Sequence, residues 1–95
     1  MLRISEVTPK ADRERTFRLD GHVTGPWVAE LRRVCLEALG ANGHSGSLVL
    51  DLRGLAFLDF DGLALFRDLS ERQVTFSNPS PFIAEQLRGV VDVER

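Results

Sequence analysis

The chain has 95 residues, which is the length of one domain. Apolar residues make up 43% and charged residues 27%, which are ordinary values for a globular protein and exclude wholesale disorder. The net charge is −2, and there is neither the basic excess nor the basic stripe of a nucleic-acid-binding protein. We therefore expect residues 1–95 to form one domain that does not bind nucleic acid.

The cysteine content and the apolar runs indicate the localisation of the protein. Cys35 is the only cysteine, so the chain has no internal disulfide and no cysteine cluster for a metal. The longest purely apolar run, residues 63–66, is far shorter than the ~20 residues of a membrane span. The first residues lack the apolar segment of a secretory signal. These features predict a soluble, cytoplasmic protein that does not insert into a membrane.

The beginning of the chain predicts two strands. Leu2, Ile4 and Val7 indicate a short first strand. Residues 15–19 alternate between polar and apolar side chains, which is the pattern of a strand with one wet face. Gly21 is predicted to end this second strand.

A helix follows the second strand. Thr24 or Gly25 is suited to cap its start, and Pro26 is suited to its first turn because proline has no N–H to leave unpaired. Gly40 and Asn42-Gly43 are predicted to stop it. Apolar residues recur at helical spacings of three and four. They are Trp27 or Val28, Leu31, Val34, Cys35, Ala38 and Leu39.

The second half of the chain alternates strands and helices. Residues 47–52 form an apolar run typical of a strand covered on both faces, which residues 56–58 continue after a kink at Gly54. A helix is predicted from residue 60 to about 72, and a short strand over 74–76. Ser80 as N-cap and Pro81 at the first helical position open a last helix. Its apolar positions are Phe82, Ile83, Leu87 and Val90.

The predicted order is β-β-α-β-α-β-α. A hairpin followed by alternating helices and strands indicates an α/β fold with a mixed four-stranded sheet and about three helices packed on it.

The usual signatures of an enzyme are missing from the sequence. There is no glycine-rich phosphate loop and no HExxH zinc motif, and His22 and His44 are placed apart on predicted turns. Cys35 lies on the apolar stripe of the first helix, where a buried thiol is a poor nucleophile. We therefore expect a protein that is not an enzyme and has no catalytic residue, no metal and no cofactor.

An acidic cluster surrounds the start of the second helix. Two carboxylates two residues apart, Asp59 and Asp61, suggest acid–base chemistry or a metal. The stronger interpretation is structural: Asp59 stands at the N-cap and Asp61 in the first turn, where capping and the helix dipole both favour negative charge. Asp51, inside the preceding strand, is expected to receive hydrogen bonds from local backbone or from arginine.

The phase of the second helix indicates an outward-facing aromatic residue. With the apolar positions inward, a rotation of about 100° per residue points Phe60, Ala64 and Arg67 outward. The inward positions are Gly62, Leu65, Phe66 and Leu69. An exposed aromatic side chain at a helix start is compatible with a contact surface. The alternative is that Phe60 folds under a neighbouring loop.

At this stretch the chain resembles the STAS family, the domain shared by sulphate transporters and anti-sigma factor antagonists. The family pattern is an apolar strand ending in Asp-Leu, a short turn, an apolar step, Asp, two small residues and Gly-Leu. The matching residues are 48–59 (LVLDLRGLAFLD) and 62–63 (GL). The element order agrees as well, so the resemblance implies a single STAS-like domain over residues 1–95.

The resemblance implies a regulatory protein that works by contact with another protein. In anti-sigma factor antagonists a Ser or Thr at this helix start is phosphorylated by an anti-sigma kinase, and only the unmodified form binds that kinase. Here Asp61 stands at the phosphoacceptor position and Phe60 at the preceding small position. Because a carboxylate has no hydroxyl to modify, the resemblance implies that the usual switch is absent.

The resemblance also implies which residues meet the partner. They are Asp59, Phe60, Asp61, Gly62, Ala64 and Arg67. The expected partner is an anti-sigma kinase-like protein or another regulator. Two alternatives remain open: a soluble STAS subunit of a lipid-transport ABC complex, and a sensor of a small molecule or nucleotide, for which a helix N-terminus is an anion site. The resemblance leaves the oligomeric state open.

Overall fold

The computed structural model describes residues 1–7, 14–41 and 47–91. The predicted order is confirmed. Its elements are β1 (Leu2–Val7), β2 (Glu14–Val23), α1 (Pro26–Ala41), β3 (Ser47–Leu58), α2 (Phe60–Glu71), β4 (Thr75–Ser77) and α3 (Pro81–Leu87). Within these ranges no helix is both long and apolar enough to cross a membrane.

The four strands form one mixed sheet in the order β1-β2-β3-β4. β1 runs antiparallel to β2, whereas the pairs β2–β3 and β3–β4 are parallel. Parallel neighbours need a crossover connection, and α1 and α2 supply the two crossovers. Such crossovers are right-handed, so helices that join strands in this steadily advancing order pack on the same face of the sheet. The mixed α/β sheet predicted from the sequence is therefore confirmed.

Burial alternates strictly along the first half of β3. Leu48, Leu50 and Leu52 are buried, whereas the intervening Val49 and Asp51 are partly exposed. The expectation that both faces of this strand are covered is therefore wrong: the helices cover the leucine face, and the other face meets solvent. The apolar run is continuous only because Val49 occupies an open-face position, beside Thr16 and Thr75 of the neighbouring strands.

The core lies between the leucine face of the sheet and the helices. Phe66 of α2 stacks on Phe76 of β4 with ring centroids 4.9 Å apart. Cys35 of α1 is buried as its helical spacing predicted, and burial raises the pKa of its thiol to about 12 because a thiolate is poorly solvated there. A buried thiol with a raised pKa is a poor nucleophile.

β2 continues past the residue predicted to end it. Gly21 lies inside the strand at a φ of +108°, and a Cβ at this position would meet the carbonyl oxygen of Met1. Glycine thus permits a close approach of the chain start rather than a turn, and the next residue, His22, donates its N–H to Met1 O at 2.9 Å. The prediction that His22 lies on a turn is therefore wrong, since it is an exposed strand residue. His44 lies outside the described residues.

The start of α3 follows the prediction, but one of its apolar positions does not. Ser80 is the N-cap, its hydroxyl oxygen accepts the N–H of Ile83 at 3.2 Å, and Pro81 opens the helix. Ile83 and Leu87 are buried. Phe82 is 54% exposed and stacks on Phe57 of β3, with ring centroids 6.2 Å apart. Its neighbour Ile83 takes the inward position, so Phe82 is an apolar position of α3 that lies outside the core.

Candidate partner-binding surface at the start of α2

The junction between β3 and α2 is held from both sides. β4 pairs only with residues 49–51, so the edge of β3 beyond them has no strand partner. At the last residue of β3, the side chain of Gln86 takes the place of a neighbouring strand. Its amide group donates to Leu58 O at 3.0 Å and accepts from Leu58 N at 3.3 Å. On the other side Asp59 N donates to Val23 O at 3.3 Å. Hydrogen bonds on both sides thus fix the backbone at the point where α2 begins.

Asp59 caps α2 and ties it to the loop before α1. One carboxylate oxygen, Oδ1, accepts the N–H of Gly62 at 2.7 Å, and the other, Oδ2, accepts the N–H of Gly25 at 3.0 Å. The hydrogen bonds from Gly25 and then Gly62 lower the pKa of Asp59, because they stabilise its ionised form. The predicted N-cap is therefore confirmed. Both oxygens of this carboxylate are therefore engaged by backbone N–H groups at the junction.

Gly62 lets the first turn of α2 lie directly against β2. A Cβ on this residue would meet the backbone carbonyl oxygen of Val23, a group that cannot move aside as a flexible side chain can. The same carbonyl accepts the N–H of Asp59, so it belongs to the junction itself. Any larger residue at position 62 would therefore push the helix start away from the sheet.

The outer face of α2 carries an exposed phenylalanine. Phe60 is 83% exposed, so the alternative that it folds under a loop is wrong. Ala64 and Arg67, further along the same stripe, are exposed as predicted. The predicted inward positions are all buried, which confirms the helical phase; they are Gly62, Leu65, Phe66 and Leu69.

The side chains of Asp61 and Arg67 on α2 have no hydrogen-bond or ionic partner among the described residues, and the same is true of Glu71 at the end of the helix. Asp61 lies in the first turn, and no hydrogen bond or ion pair joins its carboxylate to any described residue. The same holds for the guanidinium of Arg67 in the described part of the chain. Asp68 differs: its Oδ2 lies 3.1 Å from Arg32 Nη1 and 3.4 Å from Arg72 Nε. The charges of Asp61 and Arg67 are therefore available to another molecule.

An apolar groove of about 200 Å³ runs beside Phe60. Its lining is Phe60, Leu63, Ala64, Arg67 and Val90. Leu63 and Val90 were not among the residues expected to meet a partner. The helical phase places Leu63 on the flank of the exposed stripe, but nothing in the sequence brings Val90, which follows α3, to this helix.

Asp51 does not join the acidic residues at the start of α2. Its Oδ1 accepts the backbone N–H of Arg53 at 3.0 Å and the side-chain amide of Asn78 at 3.4 Å. The expected local hydrogen bond is confirmed, although the arginine contributes its backbone and not its guanidinium. Within residues 1–7, 14–41 and 47–91, no three His, Cys, Asp or Glu side chains stand close enough together to hold a metal ion.

Comparison with known proteins identifies the fold. No family model matches the sequence, and no curated protein matches it by sequence. Among solved structures, the anti-sigma factor antagonist SpoIIAA in its unphosphorylated form superposes with a TM-score of 0.66 at 19% sequence identity. The match covers 100% of this chain and 88% of SpoIIAA. The chain therefore has the fold of an anti-sigma factor antagonist, the fold implied by its resemblance to the STAS family.

Proposed function

We propose that this protein is a non-catalytic, STAS-like regulatory domain that acts in the cytoplasm by binding a protein partner. The binding site is the α2 surface, made of Phe60, Asp61, Ala64 and Arg67. Asp59 and Gly62 hold this surface in place from below. The observation that carries the proposal is the 83% exposure of Phe60 on a rigidly anchored helix start. Exposed aromatic side chains on rigid elements are typical anchors of protein interfaces.

The described residues support a binding role over catalysis. Both carboxylate oxygens of Asp59 accept hydrogen bonds from backbone N–H groups, and Cys35 is buried with a raised pKa. The remaining charged groups of the α2 surface, Asp61 and Arg67, are exposed to solvent. Solvated charges of this kind steer and select a partner more than they shift protons.

We further propose that the α2 surface lacks a phosphorylation switch. Asp61 stands where the family resemblance places the phosphoacceptor, and a carboxylate offers no hydroxyl for phosphoryl transfer. It carries one negative charge, against about −1.5 to −2 for a phosphoryl group. The α2 surface would then hold a constant, moderate negative charge at its first turn, and its regulation would not depend on a kinase.

The partner is expected to be an anti-sigma kinase-like protein or another regulator. The ATPase of a lipid-transport ABC complex is the alternative, and it would meet the same α2 surface. A nucleotide sensor is disfavoured, because Asp59 and Asp61 place two carboxylates at the helix N-terminus where phosphate would have to bind. Capture of the partner from the host distinguishes the two protein classes.

Replacing Phe60 with alanine is expected to weaken partner binding by about 1 kcal/mol or more, or at least roughly fivefold in Kd, because the substitution removes an aromatic anchor. The partner is captured from host lysate with the tagged wild-type domain, purified and titrated calorimetrically. Phe82→Ala is the matched control, since Phe82 is also an exposed aromatic on a helix but lies outside the α2 surface. Equal affinity of wild type and Phe60→Ala would contradict the proposed site.

The Asp61→Ser variant tests the absence of the switch. The wild-type domain is expected to take up no phosphate from a STAS-type kinase at this position, whereas Asp61→Ser restores a hydroxyl where helix N–H groups can meet phosphate oxygens. Incubation with a captured kinase and labelled ATP, followed by mass spectrometry, locates any phosphate. Glu71→Ser, at the other end of α2, is the control for a newly exposed serine. Phosphate on the wild-type α2 surface would contradict the proposal.

A further inference from the structure

The α2 surface is complementary to itself in charge. Asp61 and Arg67 lie three residues before and three residues after Ala64, and neither side chain has an ionic partner among the described residues. With a rise of about 1.5 Å per residue, the two charges stand ~4.5 Å on either side of Ala64 along the helix. A two-fold axis through Ala64, perpendicular to the helix, would bring each Asp61 to the level of Arg67 in a second copy.

The α2 surface also carries an exposed aromatic side chain and a groove. Phe60 is 83% exposed and itself lines the groove of about 200 Å³, together with Leu63, Ala64, Arg67 and Val90. For comparison, an apolar cavity of about 150 Å³ is large enough to hold benzene. Phe60 lies four residues before Ala64, so the same axis brings the Phe60 ring of each copy to the level of Asp68 in the other.

From this charge complementarity we infer that the α2 surface binds a second copy of this chain, as a two-fold symmetric dimer with antiparallel α2 helices crossing at Ala64. An alanine at the crossing point allows the helices to approach closely, which larger side chains would prevent. A symmetric dimer uses the same patch on both subunits, so one self-complementary surface is sufficient. Dimerisation and the partner binding proposed above would then be mutually exclusive.

The other exposed aromatic residues do not form such a surface. Phe57 and Phe82 stack on each other within one molecule, so each ring covers part of its neighbour. On the remaining helices the described arginines already have carboxylate partners: Arg33 bonds to Glu30 and Glu37, and Arg88 bonds to Glu85. Among the described helices, α2 thus combines an exposed aromatic side chain with unpaired charges of both signs.

The charge pairs can be tested without any partner protein. Wild type, Asp61→Arg and Arg67→Asp are each examined by sedimentation equilibrium at low ionic strength. Wild type is expected to reach twice its 10.6 kDa mass at concentrations on the order of 100 µM, since a one-helix interface is small and weak. Each single variant places like charges opposite each other and is expected to weaken the dimer roughly tenfold or more. The 1:1 mixture of the two variants restores opposite charges and is expected to form a heterodimer.

Two controls keep the test specific. Arg53→Asp makes the same change of charge on the open face of the sheet and is expected to leave the dimer intact, and circular dichroism confirms that each variant is folded. A wild-type protein that stays monomeric would overturn the inference, as would a dimer unaffected by both single variants or a mixture that stays monomeric. None of these outcomes affects the proposed partner binding, which the Phe60 titration tests separately.

Discussion

Replacing Leu50 with alanine is expected to lower the free energy of unfolding by about 2–5 kcal/mol, because the substitution leaves a cavity in the core. Leu50 has no exposed surface and lies in register between Phe17 and Phe76 on the covered face of the sheet. For a domain of this size each kcal/mol lowers Tm by roughly 4–8 °C. Urea denaturation of wild type and variant measures the change directly.

Val49→Ala is the matched control for Leu50→Ala. Val49 is the next residue on the same strand, but it belongs to the open face and is partly exposed. Its replacement is expected to cost less than about 1 kcal/mol, as is usual for surface substitutions. If both variants lost the same stability, the one-sided packing of the sheet described above would be wrong.

Replacing Gly62 with alanine is expected to lower the free energy of unfolding by about 1–3 kcal/mol or more, since the new methyl group overlaps a backbone oxygen. The Cβ would meet Val23 O and would lie 3.3 Å from Asp59 Oδ1, so the strain falls on the junction and on the cap together. The expected measurement is a fall in both urea midpoint and Tm. Partner binding is expected to fall as well, because Phe60 and Asp61 depend on this turn for their position.

The expected loss of stability in Gly62→Ala is informative because its sign is opposite to the usual effect of this substitution in a helix. In a helix, glycine to alanine ordinarily stabilises a protein by about 0.4–1 kcal/mol, by reducing the entropy of the unfolded chain. Gly40 of α1 shows this ordinary case, since a Cβ there would have no neighbour within 4 Å. Gly40→Ala is therefore expected to stabilise the domain. Stabilisation by Gly62→Ala as well would disprove the close approach of α2 to β2.

The parts of the site that follow local rules were predictable from the sequence. Capping chemistry identified Asp59, and helical periodicity placed Phe60 and Arg67 outward, because both signals arise within a few neighbouring residues. The second hydrogen bond of Asp59, to Gly25, was not predictable, since it joins residues 34 positions apart. The contribution of Val90 to the groove has the same origin in tertiary packing.

The fold shows the same division between local and long-range signals. The order of elements follows from periodicity and turn residues, and it is confirmed. The errors concern residues whose surroundings are set by distant chain segments. Gly21 was interpreted as a strand end because glycine is common in turns, whereas it makes room for Met1. Val49 was interpreted as buried because it is apolar, but none of the described helices covers its side of the sheet.

Amide hydrogen exchange of the domain, free and bound to its captured partner, tests the α2 surface most directly. The backbone N–H groups of Phe60 and Asp61 are at a helix start, where intrahelical acceptors are lacking, so they exchange readily in the free protein. Binding at the α2 surface is expected to slow exchange in residues 60–67 and to leave β1 unchanged. Unchanged exchange over residues 60–67, with new protection on β1 or on the open face of the sheet, would contradict the proposed site.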